Sequence, residues 1–420
     1  MSLKSFKILW FGLILLSNTL YAQKTLEFEN KVYEQSIKTV QLHYSGNSVE
    51  SAISSPVGII NQQRLNLSFD DLREDADYYY VYFIHCNADW SESNLRPNMY
   101  LNAYNEFEIT NFEFSAEAKQ QYVHYSFDLP AFKASGNYLA VVYRNRDKKD
   151  IILSHQFYIY EEKALSGMSI TRSSDQSRRF DNQRVEVTVN YANLKAVDPR
   201  SQFKVVVRQN QRPDLIKFDL PPTYIDENNQ MIRYQNLGEP NEFPGTNEFR
   251  NFDLGTVTFT GRNVEEVYMD GRVVAAQLRS DQPFNDAYLQ SLDINGQFYI
   301  RDLEGRSGGN TGEYVNTTFR LKQAKSEFDI YVVGEFNGWK RDQNSKMRYD
   351  ENTESYMLET LVKQGWYNYA YITDGQNPFE IDGSFFDTEN QYEVFVYYRP
   401  MGGRGDELIG YSSLYYNSRR

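Results

Sequence analysis

The sequence predicts an all-β protein made of tandem immunoglobulin-like β-sandwich domains. Three observations carry that prediction. Aromatic residues make up 15% of the chain, with 34 Tyr and 27 Phe, and these side chains suit a pleated, half-buried surface. Apolar residues recur at every second position over short runs, the period of a strand with one face buried. Gly, Asn, Asp and Pro punctuate those runs, and no helical period lies between them. At 420 residues, the chain has room for two to four domains of about 100–200 residues each.

The first 22 residues read as a signal peptide. Lys4 and Lys7 form a basic start, residues 8–16 an apolar run, and Leu20-Tyr21-Ala22 a small-residue boundary before Gln23. The run falls short of the roughly 20 residues that a permanent span needs. The mature protein is therefore expected to be exported and soluble. Removing residues 1–22 takes away two lysines and no acid, leaving 42 basic against 57 acidic side chains, a net of −15. So acidic a chain is a poor ligand for nucleic acid or anionic lipid, where binding rests on cationic contacts. Cys86 is the one cysteine, which excludes an internal disulfide; it reads as a small buried apolar residue.

The first domain is expected over residues 23–163. Leu65, Leu67 and Phe69 alternate with polar residues. Residues 78–86 form a continuous apolar-aromatic run, as in a strand covered on both faces. Val123, Tyr125, Phe127 and Leu129 share one face of a further strand, residues 138–143 follow a Ser-Gly-Asn turn, and residues 150–160 close the set. Residues 165–182, rich in Ser, Arg and Asp, read as a linker. The second domain, 164–321, opens with Val185, Val187 and Val189 on one face, then Phe203, Val205 and Val207. It carries a polar Pro/Gly-spaced insertion at 221–245. The third domain is expected at 322–400 and a disordered Gly- and Tyr-rich tail at 401–420.

Chemistry is not expected. His43, His85, His124 and His155 are scattered, without zinc-ligand spacing. Neither a nucleophile elbow nor a phosphate-binding loop occurs. Adjacent carboxylates such as Asp70-Asp71 point to opposite faces of a strand and do not form an acid/base pair. The reading is a non-enzyme with no catalytic, metal or cofactor residues. His155 is expected as a hydrogen-bonded core histidine and His124 as solvated, while Arg404-Gly405-Asp406 reads as a chance match. The cluster Ile84-His85-Cys86-Asn87-Ala88-Asp89-Trp90 raises the question of a metal or catalytic group. On a strand, however, His85 shares a face with Tyr79, Val81 and Phe83 while Cys86 turns away, so they cannot converge without a sharp bend. Asn87-Ala88-Asp89 reads as a turn capped by its own side chains, with Trp90 packing back onto the sheet.

Two resemblances add to this. Gly334-Glu335-Phe336-Asn337-Gly338-Trp339, followed by Thr373-Asp374-Gly375 as a later hairpin turn, resembles the early-set immunoglobulin-like modules related to glycogen-binding domains. Trp339 matches that family's first sugar-stacking tryptophan. Its lysine, however, falls on Ala370, and the second tryptophan region is Gln376-Asn377-Pro378-Phe379. Packing under the turn is the favoured role for Trp339. Sugar binding by Trp339 and Trp366 is the alternative function, beside that of an envelope-assembly scaffold.

The second resemblance covers most of the chain. Residues 82–90, Ser93-Asn94-Leu95, Tyr100-Leu101-Asn102, residues 122–127, residues 135–139 and residues 247–253 look like the plug protein family of the type IX secretion system. That resemblance implies a non-enzymatic periplasmic protein that associates with a very large outer-membrane β-barrel translocon and closes its channel when no substrate passes. It implies no cofactor, nucleic acid, membrane span or small-molecule substrate. Candidate partner contacts on this sequence are Asp89, Trp90 and Tyr100, taken as exposed, and the 221–245 insertion.

Overall fold

The computed structural model describes residues 24–46, 48–62, 65–304 and 309–418. The signal-peptide expectation lies outside the described residues. Within them, strands assemble into six sheets that pair into three β-sandwiches, as the fold-class prediction requires.

In the first sandwich one sheet runs Lys31–Val32, Asp147–Tyr160, Gly136–Arg144, Tyr79–Cys86, Phe107–Glu108, with Val57–Ile59 added in parallel to Asp147–Tyr160. The facing sheet runs Ile37–Tyr44, Leu65–Asp71, Val123–Asp128, Asn111–Phe114. Leu65, Leu67, Phe69, Val81, Phe83, Val123 and Tyr125 meet in the core between them. The continuous apolar run expected at 78–86 forms a strand over Tyr79–Cys86 that is covered on both faces, while Tyr78 before it is exposed. Tyr79, Val81 and Phe83 enter this core, whereas Tyr82, Ile84 and Cys86 join a separate cluster with Val206, Phe395, Tyr397 and Leu408 of the second sandwich.

The second sandwich is discontinuous in sequence. One sheet holds Leu165–Arg172, Asn182–Asn190, Met231–Tyr234, Tyr224–Asp226 and Glu242–Pro244; the other holds Ile216–Lys217, Phe203–Gln209, Asn390–Tyr398 and Glu407–Tyr416. The Val185-Val187-Val189 face is fully buried, alternating with half-buried polar residues, and closes on Val205, Val207, Val394 and Val396.

Between the two halves of that domain the chain builds the third sandwich. Its sheets are Arg250–Asp253, Gly365–Thr373, Phe298–Ile300 with Ile330–Val333, and Val264–Asp270, Val273–Leu278, Tyr314–Lys322, Ser355–Lys363, Arg348–Asp350. Phe252, Phe319, Tyr367 and Tyr369 form an aromatic stack in its core. The third domain thus starts near residue 249, not 322, and is inserted into the second.

Four sequence expectations change with this topology. Residues 165–172 are a strand paired along its length with Asn182–Asn190, not a linker. The 221–245 segment supplies three strands of the second sandwich, so it is not an insertion. Residues 249–253 belong to the third sandwich. The tail contains Glu407–Tyr416, an ordered strand paired with Asn390–Tyr398. The physical reason is common to all four. Local alternation marks a strand, but which strand it pairs with depends on contacts hundreds of residues away.

Candidate functional site: the domain junctions

Chemistry-bearing side chains concentrate where the sandwiches meet. Between the first and third sandwiches, Asp70 sits on the outward face of Leu65–Asp71, opposite the core positions Leu67 and Phe69. Its carboxylate is 1% exposed, and it accepts bonds from Lys363 Nζ at 2.6 Å, Tyr314 OH at 2.7 Å and His124 Nδ1 at 2.6 Å. Lys363 also donates to the Gly309 carbonyl at 2.5 Å and lies over the Tyr122 ring at 4.2 Å. Burial alone would raise the Asp70 carboxyl, yet the Lys363 charge and the His124 bond hold it below the ordinary carboxylate range. A buried ion pair needs such extra hydrogen bonds to offset desolvation. Around it, Lys119 N donates to both Glu313 carboxylate oxygens at 2.9 Å, and Tyr122 OH to the Gly312 carbonyl at 2.9 Å. His124, expected to be solvated, is therefore half-buried and engaged.

The seam between the first and second sandwiches answers the question raised by residues 84–90. His85 Nδ1 lies 2.8 Å from Ser93 Oγ and Nε2 3.0 Å from the Ser135 carbonyl; burial pushes its pKa down. Cys86 is fully buried in the cross-domain cluster, and burial pushes its thiol up to about 12, which makes it unreactive. Asn87, Ala88 and Asp89 form the expected turn, with Trp90 N donating to the Asn87 carbonyl at 3.0 Å and Asp89 Oδ1 accepting from Ser91 N at 3.1 Å.

Trp90 then turns into the seam, its ring edge-on to Tyr158 at 5.3 Å, which in turn stacks on Phe395 at 4.4 Å. Tyr100 is buried in the first core and donates its hydroxyl to the Phe83 carbonyl at 2.8 Å. Of the three candidate partner contacts, only Asp89 reaches the surface. Trp90 and Tyr100 were taken as exposed aromatics, a reading the structure corrects, because both rings complete apolar cores.

Asp406 of the Arg-Gly-Asp triplet is a seam residue too. It accepts from Ala88 N at 3.1 Å, Arg399 Nε at 2.7 Å and Lys204 Nζ at 3.3 Å. Four residues along the strand from Lys204, Arg208 Nε donates to Glu393 Oε2 at 2.8 Å, and Glu393 Oε1 accepts from Ser55 Oγ at 2.5 Å across the seam.

Where all three sandwiches meet, a cavity of about 50 Å³ is lined by His43, His155, Arg208, Gln297 and Glu335, among others. That volume holds a few waters at about 10–15 Å³ each. Burial drives the His155 pKa down to about 4 and raises Glu335 to about 7. His155 Nδ1 sits 2.9 Å from the Gln156 carbonyl, as expected of a core histidine.

Trp339 follows Gly338, and both backbones are left-handed, with φ of 63° and 59°. This turn swings the indole inward against Phe249, Val333 and Ile372, where Nε1 donates to Glu335 Oε2 at 2.9 Å and the Arg212 guanidinium covers the ring at 4.2 Å. Gly296 leaves the space the ring occupies, since a Cβ there would lie 2.4 Å from it. Trp366 is half-buried beside Arg262 and Arg301, at 5.9 and 5.7 Å. It lies six residues from Ile372 on one strand, roughly 20 Å away. The two indoles therefore do not form one sugar platform.

Among the described residues, no three His, Cys, Asp or Glu side chains are placed to hold a metal, and no helix is long and apolar enough to cross a membrane. Sequence reasoning missed Asp70, Lys363, Arg208, Glu393 and Asp406. For Asp70, Lys363, Arg208 and Glu393 a charge on a strand otherwise reading as buried was the available sign, and the partner of each lies far away in sequence; Asp406 sits in a Gly-rich loop, where nothing marked it.

The first sandwich is also the part of the chain with a family match. Residues 37–161 match the model described as the type 9 secretion system plug protein 1st domain. A crystal structure of a hypothetical protein from Parabacteroides merdae ATCC 43184, at 2.30 Å resolution, is similar over nearly the whole chain. The TM-score is 0.87 at 29% identity, covering 93% of this chain and 100% of that one. The fold shared with that structure therefore extends well beyond residues 37–161 of this chain. No curated protein matches the chain.

Proposed function

We propose that this protein is a periplasmic plug. It binds the outer-membrane translocon of the type IX secretion system and closes the channel on the periplasmic side in the absence of substrate. The observation that carries the reading is the plug-domain match over residues 37–161. The architecture is compatible with it. A stopper gains from a surface that is ordered before it binds, because little conformational entropy is then lost on docking. Here each sandwich is tied to its neighbours by buried polar contacts, Asp70–Lys363 on one side and Arg208–Glu393 with Ser55 on the other. The protein acts without chemistry of its own, exported through cleavage of residues 1–22 and held in place by protein–protein contact.

Deleting the gene tests the reading. Loss of a plug makes the outer membrane leaky to vancomycin while secretion through the system continues. Unchanged vancomycin sensitivity with secretion abolished would replace the plug by an assembly scaffold.

A further inference from the structure

We propose that the outer edge of Asn111–Phe114, in the first sandwich, is the surface on which the partner docks by strand addition. The occupant is a short extended segment with apolar side chains at alternate positions and Lys or Arg between them. The partner's identity rests on the plug reading; the chemistry of the edge does not.

Asn111–Phe114 is the terminal strand of its sheet, and all four residues are exposed. The other edges of the sandwich are closed or short. Ile37–Tyr44 faces the third sandwich, where Thr39 Oγ1 meets Tyr314 OH at 2.7 Å. Beyond the two-residue Phe107–Glu108 strand, Asn105 caps the Tyr79–Cys86 edge, accepting from Phe83 N at 2.9 Å and donating to Phe83 O at 2.7 Å. Lys31–Val32 is only two residues long. Exposed edges are ordinarily blunted by shortness, by charged side chains, above all Lys, by Pro or by a bulge; here the strand is four residues long and its charge is Glu113. Asn111–Phe114 contains neither Lys nor Pro, and its register with Val123–Asp128 is unbroken.

Register identifies the groups that point outward. Ser115 N donates to Tyr122 O at 2.8 Å, so in the antiparallel ladder residues 115, 113 and 111 face their hydrogen-bonded partners. The N–H and C=O groups of Phe112 and Phe114 therefore point away from the sheet. The Phe114 carbonyl is already taken by Asn310 Nδ2 at 3.0 Å, and Ala116 N donates to the Asn310 carbonyl at 2.9 Å, so the arriving strand pairs through Phe112 and the Phe114 amide.

The side chains specify the arriving strand. Phe112 and Phe114, 42% and 54% exposed, stand together on one face with ring centres 6.1 Å apart. An added strand would cover them with apolar residues at matching alternate positions. On the other face a hollow of about 210 Å³ opens beside Asn111, Glu113, His124, Ser126 and Gly309, where a cationic side chain reaches Glu113. Residues 106–117 hold Glu106, Glu108, Glu113 and Glu117 and no Lys or Arg. This charge favours a cationic strand and disfavours a second copy of a chain whose own net charge is −13.

The test uses the full mature chain and a fluorescein-labelled nine-residue peptide alternating Val and Lys, with alternating Val and Glu as the control, read by anisotropy. The Val/Lys peptide is expected to bind and the Val/Glu peptide not. Glu113→Lys should weaken binding at least tenfold. Phe112→Pro should do the same, because it removes an outward N–H and spares the ladder bonds. Unchanged melting curves confirm that both variants fold.

Equal binding by wild type and both variants, or no binding of the Val/Lys peptide, overturns the proposal. So does wild-type dimerisation that Phe112→Pro abolishes, since the occupant is then a second copy. Envelope pull-downs separate the two ideas. Wild type that recovers no translocon defeats the plug reading alone. Translocon recovered equally by wild type, Phe112→Pro and Glu113→Lys leaves the plug reading standing and defeats the edge.

Discussion

Replacing Lys363 by Met should weaken the coupling between the first and third sandwiches by an amount the structure allows to be estimated. The substitution keeps most of the side-chain volume but strands the Asp70 carboxylate at 1% exposure. Removing one partner of a buried ion pair costs about 3–5 kcal/mol, because the remaining charge stays buried. Asp70 keeps its bonds from Tyr314 and His124, which places the expected loss near the lower figure, about 3 kcal/mol. Replacing both partners, Asp70→Asn with Lys363→Met, removes the stranded charge and should recover most of that, leaving a deficit of about 1 kcal/mol. The assay is a urea titration of wild type, both single variants and the double variant, each fitted with its own slope. Hydrogen exchange of Leu65–Asp71 and Ser355–Lys363 reports where protection is lost. A coupling energy of about 2 kcal/mol or more is expected for contacting groups of this kind. A Lys363→Met variant within about 0.5 kcal/mol of wild type, or a double variant no better than that single one, would refute the clamp.

Three further outcomes follow from the junctions. Asp406→Ala takes the acceptor from the buried Ala88 amide and from Arg399 Nε and Lys204 Nζ; both cations are partly exposed, so the loss should be about 1–2 kcal/mol, and an unchanged urea midpoint would contradict a seam role. Trp339→Ala empties a buried site and should cost about 3–5 kcal/mol, while wild-type tryptophan fluorescence should stay unmoved by maltooligosaccharides; a saturable shift would revive the sugar reading. Asp293, beside Glu248 and Glu389 where the chain crosses between second and third sandwiches, is raised by burial from 3.8 to about 7. The folded state keeps a proton that the unfolded state releases, so this stabilisation is complete below about pH 4. It is lost as pH rises through about 7, at no more than about 1.4 kcal/mol per pH unit. Relative to Asp293→Asn, wild type should therefore lose stability between pH 4 and 7; a difference that stays flat or grows would contradict the assignment.

Much of the fold was legible because it rests on local pattern. The Val185-Val187-Val189 alternation and the unbroken apolar run at 78–86 each specify how many faces of a strand are covered, and the structure covers one face and, from Tyr79 onward, two faces respectively. The turn at 87–90 was legible because Asn and Asp bond their own backbone. The nesting of the third sandwich was not. Glu407–Tyr416 follows Met-Gly-Gly-Arg-Gly and carries polar Ser412 and Ser413, so its local composition resembles a loop; pairing with Asn390–Tyr398 makes it a strand. Trp90 and Tyr100 misled for a related reason. An aromatic ring beside a polar turn fits an interface and a core equally well, and only the second sandwich, arriving from residues 395–408, decides the matter for Trp90. Asp70 shows the same limit. Its acid character was visible, but Lys363 stands 293 residues away.

The most direct test of the central claim is an affinity pull-down. The mature chain is used as bait on detergent-solubilised envelopes, and the captured proteins are identified by mass spectrometry. The account predicts recovery of a single very large outer-membrane β-barrel protein of the type IX secretion system. Recovery of polysaccharide-handling proteins instead, or of nothing above background, would contradict it.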